Sequence, residues 1–222
     1  MLSIAIDGPA GAGKSSIAKM VARKMGITYV DTGAMYRAVA LSCILNSIPM
    51  EDEASIAMHV PSVIIEIRYD NGEQRVILNG EDVSGRIRDE EVGKGASAVA
   101  RFSAVRTRLV ELQRELAEKQ DVIMDGRDIG TVVLPNAGCK IFLTASSKVR
   151  AKRRFLELKE KGEECDIDEI ERDIIARDEQ DMNREISPLK QADDAILLDT
   201  SDMTIDEVVN RVMEIAAVRN NA

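Results

Sequence analysis

The chain has 222 residues, 45% of them hydrophobic and 31% charged, a size and balance suited to one sizeable α/β domain with a real core. A net charge of −9, no Trp and only 3% aromatic residues argue against a general nucleic-acid binder, which needs a broad basic footprint and stacking platforms. Cys43, Cys139 and Cys165 are odd in number and widely spaced, which fits free thiols in a reducing compartment rather than a disulfide framework or a metal knuckle. No signal-peptide order and no bilayer-length apolar run is present, so a cytoplasmic protein without a membrane partner is expected.

Leu2 to Ile6 is a short apolar run of strand character. It leads into Gly8-Pro9-Ala10-Gly11-Ala12-Gly13-Lys14-Ser15, which fits G-x-x-x-x-G-K-[ST] at every fixed position. A helical pattern with Ile17, Val21 and Met25 on one side follows at once. Strand, glycine loop and helix in that order is the context of a phosphate cradle. Backbone N–H groups and the helix N-terminus turn toward an anion, Lys14 reaches the β- and γ-phosphates, and the Ser15 hydroxyl ligates magnesium. The loop identifies a nucleoside triphosphate as donor and leaves the acceptor open, since ATPases, GTPases and small-molecule kinases all carry it.

Ile27 to Val30 is the next strand, and Asp31-Thr32-Gly33 opens a helix from about Ala34 to Leu45, with Thr32 placed to cap it and Arg37 about one turn in. Pro49 breaks the pattern, and Glu51 to Met58 is a weaker helix. Val63 to Tyr69 alternates as a strand, Asp70-Asn71-Gly72 is a hairpin turn, and Gln74 to Leu78 and Glu81-Asp82-Val83 complete an antiparallel meander of roughly thirty residues. That meander reads as an insert outside the core. Gly93 to Ser97 reads as a polar, glycine-marked stretch before a long helix from about Ala104 to Lys119. His59, the single histidine, falls at a helix end or loop with no partner nearby in sequence and reads as structural, so any chemistry here works without histidine.

Val122 to Met124 is a strand running into Asp125-Gly126-Arg127-Asp128-Ile129-Gly130-Thr131, and Lys140 to Leu143 is another. A helix from Ser147 carries Arg150, Lys152, Arg153 and Arg154 and breaks at Gly162. Ile167 to Met182 forms a further helix, Ala195 to Leu198 the last strand, and Thr204 to Val218 the last helix. Five short apolar strands separated mainly by helices predict a parallel, doubly wound α/β sheet, with the antiparallel insert beside it. Ligands of such sheets sit beyond the carboxyl ends of the strands, which gathers the glycine loop, Asp31 to Gly33 and Asp125 to Thr131 at one rim. Arg177, Asp181 and Arg184 recur at four- and three-residue spacing, which would point them one way on a helix. Taken alone they read rather as an exposed ion-pair stripe.

Taken together, GPAGAGKS, DTGAMYR, GEDVSGRIR, DGRDIGT, KIFLTAS and RDEQDMNRE resemble the bacterial cytidylate kinases, a branch of the nucleoside monophosphate kinases, from end to end of the chain. DGRDIGT after a strand is the sharpest of these matches. The resemblance implies a single P-loop kinase domain over 1–222. Its core would be 1–32, 104–147 and 185–222, its acceptor-binding segment with the β insert 33–103, and its helical lid with flanking helices 148–184. It implies that Gly8, Pro9, Ala10, Gly11, Ala12, Gly13, Lys14, Ser15 and Ser16 bind ATP, joined by Arg153. Arg37, Arg127 and Arg184 would bind the acceptor monophosphate, and Arg177 and Asp181 would meet the ribose. Ser97, Arg106 and Asp128 would read the cytosine, while Thr32 and Tyr36 line the acceptor pocket. Lys14, Arg127, Arg184 and the lid residues Arg150 and Arg154 would be catalytic, and matching does not settle which lid arginine reaches a phosphate. Thr32 stands where many relatives have Ser, and Ser15-Ser16 replaces the commoner Ser/Gly-Thr ending; both changes keep a hydroxyl.

The implied reaction moves the γ-phosphoryl group of ATP to CMP or dCMP with Mg2+ on the donor. It is expected in a monomer acting on these small molecules and no nucleic acid. Whether Asp125 touches the metal directly, through water or not at all stays open. Such chemistry needs positioning and charge neutralisation more than a base, because the acceptor is already a phosphate dianion. Nineteen of the thirty basic residues are Arg, the side chain suited to bidentate phosphate contacts. Another small-molecule kinase on the same fold, acting on UMP or a non-nucleotide acid, is the nearest rival. A P-loop switch is disfavoured because an N-K-x-D run is absent and a second arginine-lined site would have no use.

Overall fold

A computed structural model of the chain describes residues 1–220. Its parallel sheet has five strands, β1 (Ser3–Asp7), β2 (Thr28–Asp31), β6 (Val122–Gly126), β7 (Cys139–Thr144) and β8 (Ile196–Asp199), in the order β2-β6-β1-β7-β8. The first strand is therefore central: β7 and then β8 lie on one side, while on the other β2 takes the edge and β6 enters between it and β1. A parallel sheet with helices on both sides is what the sequence predicts. Ile4, Ala5 and Ile6 of β1 and Val122, Ile123 and Met124 of β6 are wholly buried, which explains why both strands read as continuous apolar runs. Asp7 pairs in register with Gly126 on one side and Phe142 on the other. A three-stranded antiparallel sheet stands separately: β3 (Ile65–Asp70), β4 (Glu73–Leu78) and β5 (Glu81–Asp82).

The chain divides into two compact units. One comprises Met1 with Thr28–Asp121. It holds β2, the antiparallel sheet, and the helices α2 (Thr32–Leu45), α3 (Glu53–His59), α4 (Glu90–Val99) and α5 (Ser103–Ala117). Its core packs Met35, Val39, Leu41 and Leu109 against Ile65, Val76, Leu78 and Val83. The meander is thus a separate sheet, as expected, but its inner face is part of this core and not an appendage to it. His59 ends α3 with Nε2 2.8 Å from the Ser42 hydroxyl and Nδ1 3.2 Å from Ser62 Oγ. Ser62, three residues on, is thus a partner close in sequence, where none was expected.

The other unit comprises Leu2–Ile27 and Val122–Ala222. It holds the remaining four parallel strands with α1 (Lys14–Met25), α6 (Ser147–Glu160), α7 (Ile167–Asn183) and α8 (Ile205–Asn220). Residues 221–222, the end of the segment assigned to the core, lie outside the described residues. No helix among the described residues is long and apolar enough to cross a membrane.

Three local expectations change. Residues Gly93 to Ser97 lie inside α4 rather than in a loop. A side chain at Gly95 would crowd Ala40 and Met50 at 3.2 Å, so glycine there permits close packing against α2 rather than breaking a helix. The Asp125–Thr131 run is not all turn: β6 extends to Gly126, and Ile129–Val133 forms a short π-helix. Finally, α7 ends at Asn183, and Arg184 follows in extended conformation (φ −64°, ψ 142°) instead of continuing the helix.

Candidate active site

The glycine loop leaves β1 at Gly8, whose φ is 149° and where any Cβ would collide with the Leu143 carbonyl oxygen. Only glycine permits that approach. Gly13, at φ 90°, caps α1 without a side chain, so the first N–H groups of the helix face the loop. Lys14 is buried at 5% exposure and folds back so that Nζ donates to the Pro9 carbonyl at 2.7 Å. Burial, and then the Arg127 guanidinium, pull its pKa from 10.5 to about 7, against the opposing attraction of Asp125, Asp7 and Asp181.

Ser15 donates its hydroxyl to Asp125 Oδ2 at 2.8 Å, which joins the start of α1 to β6. One step beyond, Arg127 Nε donates to Asp181 Oδ2 at 2.8 Å, an ion pair with side chains 21% and 13% exposed. Asp128 is buried, with Oδ1 3.7 Å from Arg184, and Arg184 Nε also donates to the Ser187 carbonyl. The predicted acceptor residues therefore fall into two ion pairs, Arg127–Asp181 and Asp128–Arg184, which meet at the Arg127–Asp128 peptide, with Lys14, Ser15 and Asp125 alongside. Asp181 pairs across 54 residues, so the exposed-stripe reading of this segment does not hold for it. Arg177 is exposed on α7.

The three lid arginines separate. Arg150 is buried and makes three bonds: to the Ala145 carbonyl at 2.9 Å, to the Ala10 carbonyl of the glycine loop at 2.9 Å, and to Asp178 Oδ2 at 2.6 Å. Arg153 donates to the Thr200 carbonyl at 3.0 Å and passes 3.9 Å from where a Gly13 side chain would start. Arg154 pairs with Glu157 at 3.3 Å on the exposed face of α6.

In the other unit, Asp31 rather than Thr32 caps α2, since Oδ1 accepts from Ala34 N at 2.9 Å while Thr32 is buried as the first helical residue. The second oxygen of Asp31 holds Arg37 at 2.9 Å, and the Arg37 Nε is buried with no hydrogen-bond partner. Gln74 of β4 clamps Asp31 from outside: its Oε1 accepts from Asp31 N at 2.8 Å and its Nε2 donates to Asp31 O at 3.3 Å. Arg106 is buried, donates to the Ala100 carbonyl at 3.2 Å, and places its guanidinium 5.7 Å from the centre of the Tyr36 ring. Ser97 is half-buried on α4.

A family model described as cytidylate kinase matches residues 4–218. The chain belongs to the cytidylate kinase family. It is thereby a kinase, a phosphotransferase acting on nucleoside monophosphates. It is 53% identical over 215 residues to a protein of Lactobacillus johnsonii named cytidylate kinase, covering 97% of this chain and 94% of that one. A cytidylate kinase of Caldicellulosiruptor bescii is 51% identical over 214 residues, covering 96% and 95%. A solved structure of an uncharacterized protein from Eubacterium ventriosum is similar over 98% of this chain and 99% of that one, with a TM-score of 0.55 at 12% identity, a likeness of fold alone.

Three further residues of this family member bear on the site without having been singled out from sequence. Asp178 anchors Arg150, and nothing distinguishes it from the other acids of α7. Gln74 clamps Asp31 from a segment that reads as an ordinary strand. Asp7 is buried, accepting from Ile129 N and Gly130 N at 2.7 Å each; it is the one charged residue of β1 and stands directly before Gly8, a signal present in the sequence. Desolvation raises its pKa from 3.8 to about 6, despite the two amides and Lys14.

Proposed function

We propose that this chain transfers the γ-phosphoryl group of ATP to CMP or dCMP, giving ADP and CDP or dCDP, as a cytoplasmic monomer without nucleic-acid or membrane partners. The observation that carries the residue-level reading is the buried Lys14, held in the glycine loop between Arg127 and three carboxylates with its pKa near 7. Gly8 to Ser16 hold the triphosphate, and Lys14 turns from Pro9 onto it. Arg150 and Arg153 are the lid arginines whose positions in the structure support donor contact; Arg154 would have to leave Glu157 to take part.

The residues also fit magnesium. Ser15 and Asp125 offer a hydroxyl and a carboxylate already 2.8 Å apart, and this hard ion commonly takes one or two protein oxygens, filling its other positions with water and phosphate. Among the described residues no group of three or more His, Cys, Asp or Glu could hold a metal, so nucleotide phosphates would supply the remaining ligands. Bound there, the ion would neutralise charge on the donor phosphates.

On the acceptor side Arg37, Arg127 and Arg184 take the monophosphate, offsetting repulsion between two anionic substrates. Arg177 and Asp181 meet the sugar. Asp128 accepts from the cytosine amino group and Arg106, with Ser97, donates to its ring acceptors, while Thr32 and Tyr36 line the pocket. Since the attacking oxygen belongs to a phosphate dianion, no side chain has to remove a proton; catalysis consists of alignment, water exclusion and charge stabilisation. The division into core 1–32, 104–147 and 185–222, acceptor segment 33–103 and lid 148–184 belongs to the same proposal. A coupled ADP-release assay with ATP and a panel of CMP, dCMP, UMP, AMP and shikimate tests it. Turnover should be highest with the cytidine nucleotides, and equal or higher turnover with UMP or shikimate would refute the assignment.

A further inference from the structure

Beyond its attraction for Lys14, the buried Asp7 carboxylate has no part in the mechanism above, yet its surroundings are specific. It accepts two charge-assisted hydrogen bonds of 2.7 Å, from Ile129 N and Gly130 N, the first two amides of the short π-helix. The peptide carrying the Ile129 N–H is the one that follows Asp128. On its own side, the Asp128 carbonyl accepts from Val132 N at 2.9 Å and Val133 N at 3.2 Å. The Asp128 backbone is thereby held from both directions, which fixes the direction in which its side chain leaves the chain. A position immediately before Gly8 makes the same carboxylate a strut between the glycine loop and the Asp128 loop, which leave neighbouring strands in register.

Its setting is also costly. Asp7 is 5% exposed and lies near enough to Asp128 for the two charges to oppose each other. Burying one carboxylate beside another is unfavourable unless strong donors hold it, and here the two amides are those donors. The carboxylate sets one oxygen on each amide, whereas a carboxamide in its place would turn an N–H group onto one of them.

We propose that Asp7 is a positioning residue for Asp128, fixing the peptide after it through the Ile129 and Gly130 amides and so setting discrimination between cytosine and uracil. The proposal rests on the assignment of Asp128 to the base made above. Asp7→Asn keeps the shape but turns one oxygen into an N–H group facing an N–H donor. The readout is the ratio of kcat/KM for CMP to that for UMP, in Asp7→Asn, Asp128→Asn and the double variant. Asp7→Asn should lower the ratio roughly threefold or more, and the double variant should show the ratio of Asp128→Asn alone, because both act through one contact. A merely structural role lowers both acceptors alike and leaves the ratio intact, which overturns the proposal; so do independent, multiplying effects in the double variant.

If Asp128→Asn itself leaves the ratio unchanged, the base assignment fails first and the proposal with it. Should Asp7→Asn not fold, Gly130→Ala probes the same contact from the other side. Its methyl would press at 3.3 Å on Asp7 Oδ2 and 3.2 Å on Lys140 Cδ, with no positive φ to add strain. The same loss of ratio is expected of it, and an unchanged ratio in that variant counts against the proposal.

Discussion

Lys14→Met should make the ligand-free protein more stable while abolishing its turnover. Lys14 is 5% exposed, and its ammonium finds one carbonyl at 2.7 Å in place of water. Its pKa falls from 10.5 to about 7 on folding, chiefly through burial and secondly through Arg127. The folded chain therefore binds fewer protons than the unfolded one between about pH 7 and 10.5, so this group makes stability rise with pH across that window. Below pH 7 its destabilising effect is complete. At about 1.4 kcal/mol per pK unit the upper bound there is about 5 kcal/mol. Relaxation, water penetration and the lost Pro9 hydrogen bond reduce the expected gain of the variant to about 1–3 kcal/mol. Urea unfolding without nucleotide, at pH 6.5 and 9.5, measures it. The variant should be the more stable at pH 6.5, with the gap mostly closed at pH 9.5, where titrations common to both proteins cancel. A variant less stable at pH 6.5, or a gap independent of pH, refutes the picture of a strained cation awaiting phosphate. Turnover should fall by several powers of ten, as for other preorganised charge stabilisers.

Asp128→Asn should weaken discrimination of CMP from UMP about fivefold or more, because an unpaired buried polar partner costs roughly 1–3 kcal/mol; steady-state kinetics on both acceptors checks this. Arg184→Ala should raise the CMP KM and lower kcat with ATP binding near wild type by calorimetry. Arg184→Lys should recover only part of the loss, since lysine cannot make two parallel hydrogen bonds. Gln74→Ala releases the clamp on Asp31, so Arg37 is held less firmly and the CMP KM should rise about threefold to tenfold, an effect of about 1 kcal/mol, with the ATP KM little changed.

Legibility in the sequence followed the range of the interactions. The glycine loop, five parallel strands and long amphipathic helices show themselves because each depends on residues a few positions apart. Helix α4 was hidden because Gly93 and Gly95 mimic a loop, while the reason for Gly95 lies in Ala40 and Met50 on other segments. Asp31 and Thr32 are both good caps, and the Ala34 hydrogen bond alone decides between them. Arg184 keeps helical spacing with Arg177 and Asp181, yet the chain leaves the helix before it; Asp181 serves Arg127, and Arg184 lies by Asp128. Bonds from Asp7 to Gly130 and from Arg150 to Asp178 span 123 and 28 residues, distances over which spacing carries no signal.

Product analysis tests the central claim most directly. Phosphorus NMR of the protein with ATP and Mg2+, with and without CMP, should show CDP appearing one for one with ADP, and almost no ADP or inorganic phosphate when CMP is absent. Inorganic phosphate accumulating at the same rate in both samples, with no CDP, would make the chain a nucleotide hydrolase and contradict the account.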